Sequence, residues 1–225
     1  MPPAALAAEA PYILIYGGST ATGIFGIQFA RLSGYRVLTT ASPRNAEYLR
    51  SLGAEEVYDY HLPAAEVGAA IRARTNNSLR LAWDCTGSGV ELCGRALTDD
   101  PSDPPRYGAI IGVAEEDLRR ANPVAKGPFL TLGYEIFGER FDFVFVHENE
   151  DGSSGVKETV YEAKPDEFEF AKEFWELSRR LLEAGLIKTV KPIVNRGGAG
   201  LEGVLVGLDE LKDGKVSAGK LVYTL

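Results

Sequence analysis

Between the apolar run Tyr12-Ile-Leu-Ile-Tyr16 and Ile24 lies Gly17-Gly-Ser-Thr-Ala-Thr-Gly23, a stretch with no bulky side chain. Small residues after an apolar strand let backbone N–H groups and the first turn of a following helix face an anion at close range. That geometry holds the pyrophosphate of a dinucleotide. Gly17 and Gly23 suit the tight turn and close helix–strand packing. The middle glycine usual in such turns is replaced here, because Ser19, Thr20, Ala21 and Thr22 fill the loop. Their hydroxyls can donate to phosphate oxygens. A plain strand–helix turn without a ligand is the competing reading.

A second set of residues bears on which dinucleotide would fit. Sites that prefer NAD place an Asp or Glu at the end of the second strand, about 20 residues past the glycines, to accept from a ribose hydroxyl. Here Arg36-Val-Leu-Thr-Thr40 runs into Ala41-Ser42-Pro43-Arg44-Asn45, with no acid. A hydroxyl, a guanidinium fork and an amide suit a 2′-phosphate, which predicts NADPH over NADH. Ser42 also reads as an ordinary helix N-cap. Tyr60, closing Tyr58-Asp59-Tyr60, either serves the adenosine end of the cofactor or packs at a sheet edge. Asp84, in Ala82-Trp-Asp-Cys-Thr-Gly87, reads as a carboxylate that orders its loop; with no histidine nearby it receives no catalytic role.

The elements that must position these groups follow from hydrophobic periodicity. Short apolar runs at 12–16, 35–40, 56–60, 79–85 and 107–113 alternate with helical patterns at 21–33, 43–52, 63–74 and 90–97. Strands alternating with helices of this length imply right-handed crossovers and a parallel sheet wound on both faces. The expected fold is therefore α/β, a Rossmann-type doubly wound sheet. Beyond Val113 the rhythm changes. Strands are expected at 129–137, 141–147, 191–194 and 220–224, a polar loop at 148–155, and helices at 165–183 and 201–212. The expected division is a flexible lead-in at 1–11, an NADPH-binding domain at 12–128, and a segment at 129–225 that completes the sheet and forms part of a substrate lobe.

Composition narrows the function classes. The 225 residues carry a formal charge of −8, which disfavours phosphate backbones and anionic membranes and leaves nucleic acid and membrane partners unexpected. No apolar run approaches the ~20 residues of a membrane span. The start, Met1-Pro-Pro-Ala-Ala-Leu-Ala-Ala-Glu9, has neither a basic segment nor a long apolar core, so no signal peptide is read there. Cys85 and Cys93, with His61 and His147, lack zinc-ligand spacing and read as thiols in a reducing compartment, with no metal and a cytoplasmic location expected.

Taken together these pieces resemble the medium-chain dehydrogenase/reductase superfamily, zinc-independent branch, and more narrowly the trans-acting enoyl reductases of fungal polyketide biosynthesis. The resemblance rests on Tyr16-Gly-Gly-Ser-Thr-Ala-Thr-Gly23, Ser42-Pro-Arg-Asn45, Tyr58-Asp-Tyr60, Thr131-Leu-Gly-Tyr-Glu-Ile-Phe-Gly138, Phe170-Ala-Lys-Glu-Phe-Trp175 and Gly214-Lys-Val-Ser-Ala-Gly-Lys-Leu-Val222. It implies NADPH held by Ser19, Thr20, Ala21, Thr22, Ser42, Pro43, Arg44, Asn45 and Tyr60, with Ala109 and Ile110 beside the nicotinamide and Val216 and Ser217 also in reach. It further implies an acyl pocket lined by Gly133, Tyr134, Glu135, Ile136 and Phe137, and a polyketide synthase as carrier of an α,β-unsaturated thioester. Family members carry a GroES-like N-terminal lobe before the glycine turn. Here residues 1–11 stand in that place, so the resemblance implies a chain lacking that lobe, with apolar faces around 168–182 exposed or self-associating. Two other functions stay open: an NADPH-binding module without turnover, and a quinone or enone reductase outside polyketide metabolism.

Overall fold

The computed structural model describes residues 6, 7, 9–130, 132–148 and 154–225. The core of the molecule is a six-stranded parallel sheet built from β1 (Tyr12–Tyr16), β2 (Arg36–Thr40), β3 (Ala54–Tyr58), β4 (Leu81–Asp84), β5 (Arg106–Ala109) and β6 (Lys126–Phe129). Its order, β3-β2-β1-β4-β5-β6, reverses direction at β1, and the carboxyl ends of β1 and β4 flank the crevice at that switch point, where open α/β sheets bind ligands. Successive side chains on a strand face opposite sides. Leu14 and Leu38 accordingly enter one core, and Ile15 and Val37 the other.

Each core is closed by helices. On one face Val67 and Ile71 of α3 (Ala64–Arg74), Leu92 and Cys93 of α4 (Val90–Ala96) and Leu118 of α5 (Glu115–Ala121) pack against the strands. On the other, Ile24 and Ile27 of α1 (Ala21–Leu32) and Leu49 of α2 (Ala46–Ser51) do so. Trp83 explains why α1 needs a glycine at 26: a Cβ there would stand 2.7 Å from the indole. The Rossmann-type doubly wound expectation is met.

Several boundaries differ from the sequence pattern. Strand three ends at Tyr58, so Tyr60 lies in the turn beyond it. The helix expected from Pro43 opens instead as a 3₁₀ turn, Pro43–Asn45. Strand five stops at Ala109. Residues 133–137, expected in a strand, form a 3₁₀ turn. Of the polar loop expected at 148–155, residues 149–153 lie outside the described residues, as do 1–5 and 8 of the lead-in and Thr131.

The chain divides into two compact units. The first joins residues 1–130 to 185–225, so the Rossmann sheet and the last forty or so residues form one body. In that last segment β9 (Pro192–Val194) and β10 (Lys220–Val222) pair parallel in a two-stranded sheet of their own. They do not extend the main sheet as the sequence reading expected. α7 (Gly200–Lys212) connects them. Gln28 of α1 ties this segment to the Rossmann core. Its Nε2 donates to the Lys188 carbonyl (3.0 Å) and its Oε1 accepts from the Lys188 N–H (2.7 Å). The second unit, Thr131–Ala184, contains the 3₁₀ turn, the antiparallel hairpin of β7 (Phe141–Glu148) and β8 (Ser154–Tyr161), and α6 (Pro165–Glu183).

Candidate functional site

The glycine turn is held from beneath by strand β2. The Gly17 N–H donates to Thr40 Oγ1 (2.9 Å), and Thr39 Oγ1 donates to the Ile15 carbonyl (2.6 Å). Gly17 has φ +78°, and a Cβ on Gly18 would stand 2.0 Å from Thr39 Oγ1, so the turn fits only without side chains there. Gly23 meets the Gly17 carbonyl in the same way, at 2.3 Å for an added Cβ. Thr20 completes the turn. Its hydroxyl donates to the Gly17 carbonyl (2.8 Å) and accepts from the Gly23 N–H (2.9 Å), capping α1. The first turn of α1 holds no acidic side chain, which leaves its positive end uncompensated.

Ser42 behaves differently from the expected N-cap. It makes no capping bond with its side chain, and its hydroxyl lies 3.5 Å from the Tyr60 hydroxyl. Asn45 is buried, and its Nδ2 donates to Ser217 Oγ (2.8 Å), joining the loop after β2 to the loop before β10. Arg44 is exposed and pairs with no carboxylate among the described residues. Tyr60 stacks on His61 at 4.2 Å, and His61 Nδ1 lies 2.6 Å from Asp59 Oδ1. The backbone and ring N–H groups of His61 hold the Asp59 carboxyl below its usual range.

Several of these groups face one cleft of about 680 Å³ in the first unit. Of the residues singled out in the sequence for a cofactor, Ser19, Thr20, Ala21, Ser42, Arg44, Tyr60, Val216 and Ser217 line it. Thr22, Pro43, Asn45, Ala109 and Ile110 do not. Ala109 is buried at the end of β5, opposite Asp84, and the Ile110 N–H donates to the Asp84 carbonyl (3.1 Å). Sequence reasoning missed Val204, Leu208 and Leu211 of α7, which give the cleft an apolar side, and Lys220 and Tyr223, which also line it. Tyr223 reaches its place because α7 carries Gly207, where a Cβ would stand 2.0 Å from the tyrosine hydroxyl. The cleft thus pairs a polar side with an apolar one.

Asp84 is fully buried and its oxygens accept from five donors. Oδ1 takes the Thr86 N–H (2.8 Å), the Thr86 hydroxyl (2.9 Å) and the Gly87 N–H (2.9 Å). Oδ2 takes the Gly89 N–H (2.7 Å) and the Tyr107 hydroxyl (2.9 Å). Burial and this carboxylate raise the Tyr107 phenol. The role of Asp84 is to order the loop. Cys85 beside it is buried, and its thiol is pushed up to about 12 by burial first and by Asp84 second. Cys93, wholly buried, is raised as well. Among the described residues no three His, Cys, Asp or Glu side chains cluster to hold a metal ion.

The proposed acyl residues lie in the second unit. Within their 3₁₀ turn Glu135 points inward: it is 5% exposed and its carboxylate pairs with Lys164. Tyr134, Ile136 and Phe137 face outward. Gly133 opens the turn. Gly138, at φ +71°, closes it where a Cβ would stand 2.8 Å from Cβ of Phe168.

Comparison with known proteins places this arrangement. A family model described as zinc-binding dehydrogenase matches residues 21–97. The chain is 37% identical over 229 residues to the trans-enoyl reductase ACTTS2 of Alternaria alternata, covering 99% of this chain and 57% of that protein. It is 35% identical over 226 residues to the trans-enoyl reductase caaB of Aspergillus niger, covering 100% and 56%. In structure it resembles the CurK enoyl reductase (TM-score 0.64, 19% identity, 97% of this chain and 56% of that one). It likewise resembles mycobacterial Rv1454c complexed with NADPH (TM-score 0.63, 17% identity, 96% and 56%). The chain spans about half the length of the curated relatives it matches. Over almost its whole length the chain thus resembles the trans-enoyl reductases in sequence, and it shares its fold with solved enoyl reductases.

Proposed function

We propose that this chain binds NADPH in the cleft of its first unit and takes part, in the cytoplasm, in reducing the C=C bond of an α,β-unsaturated acyl thioester carried by a polyketide synthase. The observation that supports this reading best is the convergence of Ser19, Ser42, Arg44, Tyr60 and Ser217 on one cleft beside the capped start of α1. Ser42 and Arg44 receive the 2′-phosphate, a task an unpaired guanidinium beside an uncapping hydroxyl suits. The backbone of Ser19, Thr20, Ala21 and Thr22 faces the pyrophosphate. Pro43 fixes the turn that presents Arg44, and Asn45 holds Ser217 in place. Ala109 and Ile110, at the carboxyl end of β5, flank the nicotinamide, and Val216 and Ser217 close over the cofactor. NADPH, when bound, supplies the hydride. Gly133, Tyr134, Ile136 and Phe137 line the acyl pocket, with Glu135 bracing them. Residues 12–128 form the cofactor domain, and 129–225 serve both cofactor and substrate.

The test is titration with NADPH and NADH, followed by NADPH oxidation with a crotonyl-type thioester, with and without a polyketide synthase that lacks a working reductase. Preferential NADPH binding with oxidation supports the reading. Tight NADPH binding with no turnover of any enone or quinone makes the chain a binding module. Turnover of quinones but not thioesters moves it outside polyketide metabolism.

A further inference from the structure

The first unit contains a second cleft, about 340 Å³ in volume, that shares no lining residue with the cofactor cleft. It lies where α1 and α2 end and where the chain returns at Gly185. Three of its lining side chains, Arg31, Arg50 and Lys188, are cations. No carboxylate lines it, although acids outnumber bases in the chain by 32 to 24.

A different piece of backbone holds each cation. The stem of Arg31 lies over Gly53, where a Cβ would stand 2.9 Å from its Cγ. Arg50 belongs to the last turn of α2. The carbonyls of Leu49 and Arg50 at that end already accept from the Leu52 and Gly53 N–H groups (3.1 and 3.0 Å), so the guanidinium is not needed to cap them. Lys188 is fixed through its main chain, whose N–H and carbonyl are both bonded to the buried Gln28 amide. Among the described residues neither Arg50 nor Lys188 pairs with a carboxylate.

The charge balance decides what fits. Two helix C-termini bring about half a negative charge each, which three cationic side chains turn into a balance of about +2. A phosphomonoester carries about −1.5 to −2 near neutral pH and presents three acceptor oxygens. A single carboxylate leaves part of the positive charge unanswered. No aromatic side chain lines the cleft, so a nucleobase has nothing to stack on. The volume is at the lower end of the range for small-molecule pockets, about 300–1,000 Å³.

We infer that this cleft is an anion site, separate from the cofactor cleft, for inorganic phosphate or the phosphoryl group of a small phosphomonoester. Arg50 offers its planar fork to two oxygens, Lys188 adds a point charge, and Arg31 strengthens the local field. The site stands whether or not the chain binds NADPH.

Titration of the isotope-labelled full chain with sodium phosphate at constant ionic strength, read by amide chemical shifts, tests this. The N–H signals of Gly53, Gly185, Leu186 and Lys188 should move saturably, with a Kd of about 1 mM or tighter. Acetate should bind there at least about tenfold more weakly. Arg50→Gln and Lys188→Gln should each weaken phosphate at least about threefold, whereas Arg44→Ala, in the other cleft, should leave these shifts unchanged. Arg50 is exposed and Lys188→Gln keeps the backbone bonds to Gln28, so both variants retain the fold. Glycerol 3-phosphate, run in parallel, separates the two sources: tighter binding than inorganic phosphate identifies an ester, and equal binding identifies phosphate itself. Shifts confined to Gly17–Thr22, shifts that never saturate, an equal response to acetate, or an affinity that neither variant changes overturns the inference.

Discussion

Replacing Arg44 with alanine removes one charge-assisted contact to a phosphate while leaving the rest of the cleft intact. NADPH affinity should fall by about 1.5–3 kcal/mol, whereas NADH, which has no 2′-phosphate, should be little affected. Parallel titrations with the two cofactors check this, and equal losses would refute the 2′-phosphate assignment. The thiols answer to burial. With Cys85 pushed up to about 12 and Cys93 raised too, neither presents a thiolate near neutral pH. A disulfide-exchange reagent at pH 8 should label neither in the native protein and both in denaturant. The sign of the pH dependence follows. Between about 9 and 12 the unfolded chain releases thiol protons that the native chain retains, so the stability contributed by these protonated thiols is complete below that window and declines as pH rises through it. Urea titrations at pH 8 and pH 10 read that decline.

At the scale of elements, the cap of α1 offers a clean measurement. Thr20→Ala deletes the acceptor of the Gly23 N–H and the donor to Gly17. The expected loss is about 0.5–2 kcal/mol, most of which Thr20→Ser should restore because it keeps the hydroxyl. Chemical denaturation distinguishes the two. The elements themselves were mostly legible in the sequence, since apolar strands and amphipathic helices of the Rossmann half carry strong periods. What was not legible has a physical reason in each case. Thr39 and Thr40 look like ordinary β-branched strand residues, and only the fold shows their hydroxyls bracing the glycine turn. Tyr134, Ile136 and Phe137 give an apolar pattern that resembles a strand. Glycines at both ends and an inward Glu135 bonded to Lys164 curl it into a 3₁₀ turn instead. The candidate cleft was legible on its polar side, because phosphate chemistry selects few residue types. Its apolar wall on α7 was not, since leucines at helical spacing read equally as core.

For the whole molecule, the two units differ in how well they cover their apolar surface. No residue of α6 is buried, and Trp175 is 78% exposed, whereas Trp83 is half-buried beside Gly26. Iodide should therefore quench the fluorescence of Trp83→Phe, which retains only Trp175, more steeply than that of Trp175→Phe. The first unit is joined across its insertion by Gln28. Gln28→Leu leaves both polar groups of the Lys188 backbone without their partner. It should cost about 1–3 kcal/mol and speed amide exchange at Lys188. That reciprocal pair also carries a temporal meaning. Residues 28 and 188 meet across 160 positions of sequence, so a chain emerging from the ribosome must hold α1 with the Gln28 amide bonded only to the Ile24 carbonyl of its own helix, its two bonds to Lys188 unmade, while the whole Thr131–Ala184 unit is made. At about 5–20 residues per second that interval lasts on the order of ten seconds or more. The Rossmann half is thus finished last by its own tail, and the inserted unit has time to fold before the body that carries it is closed.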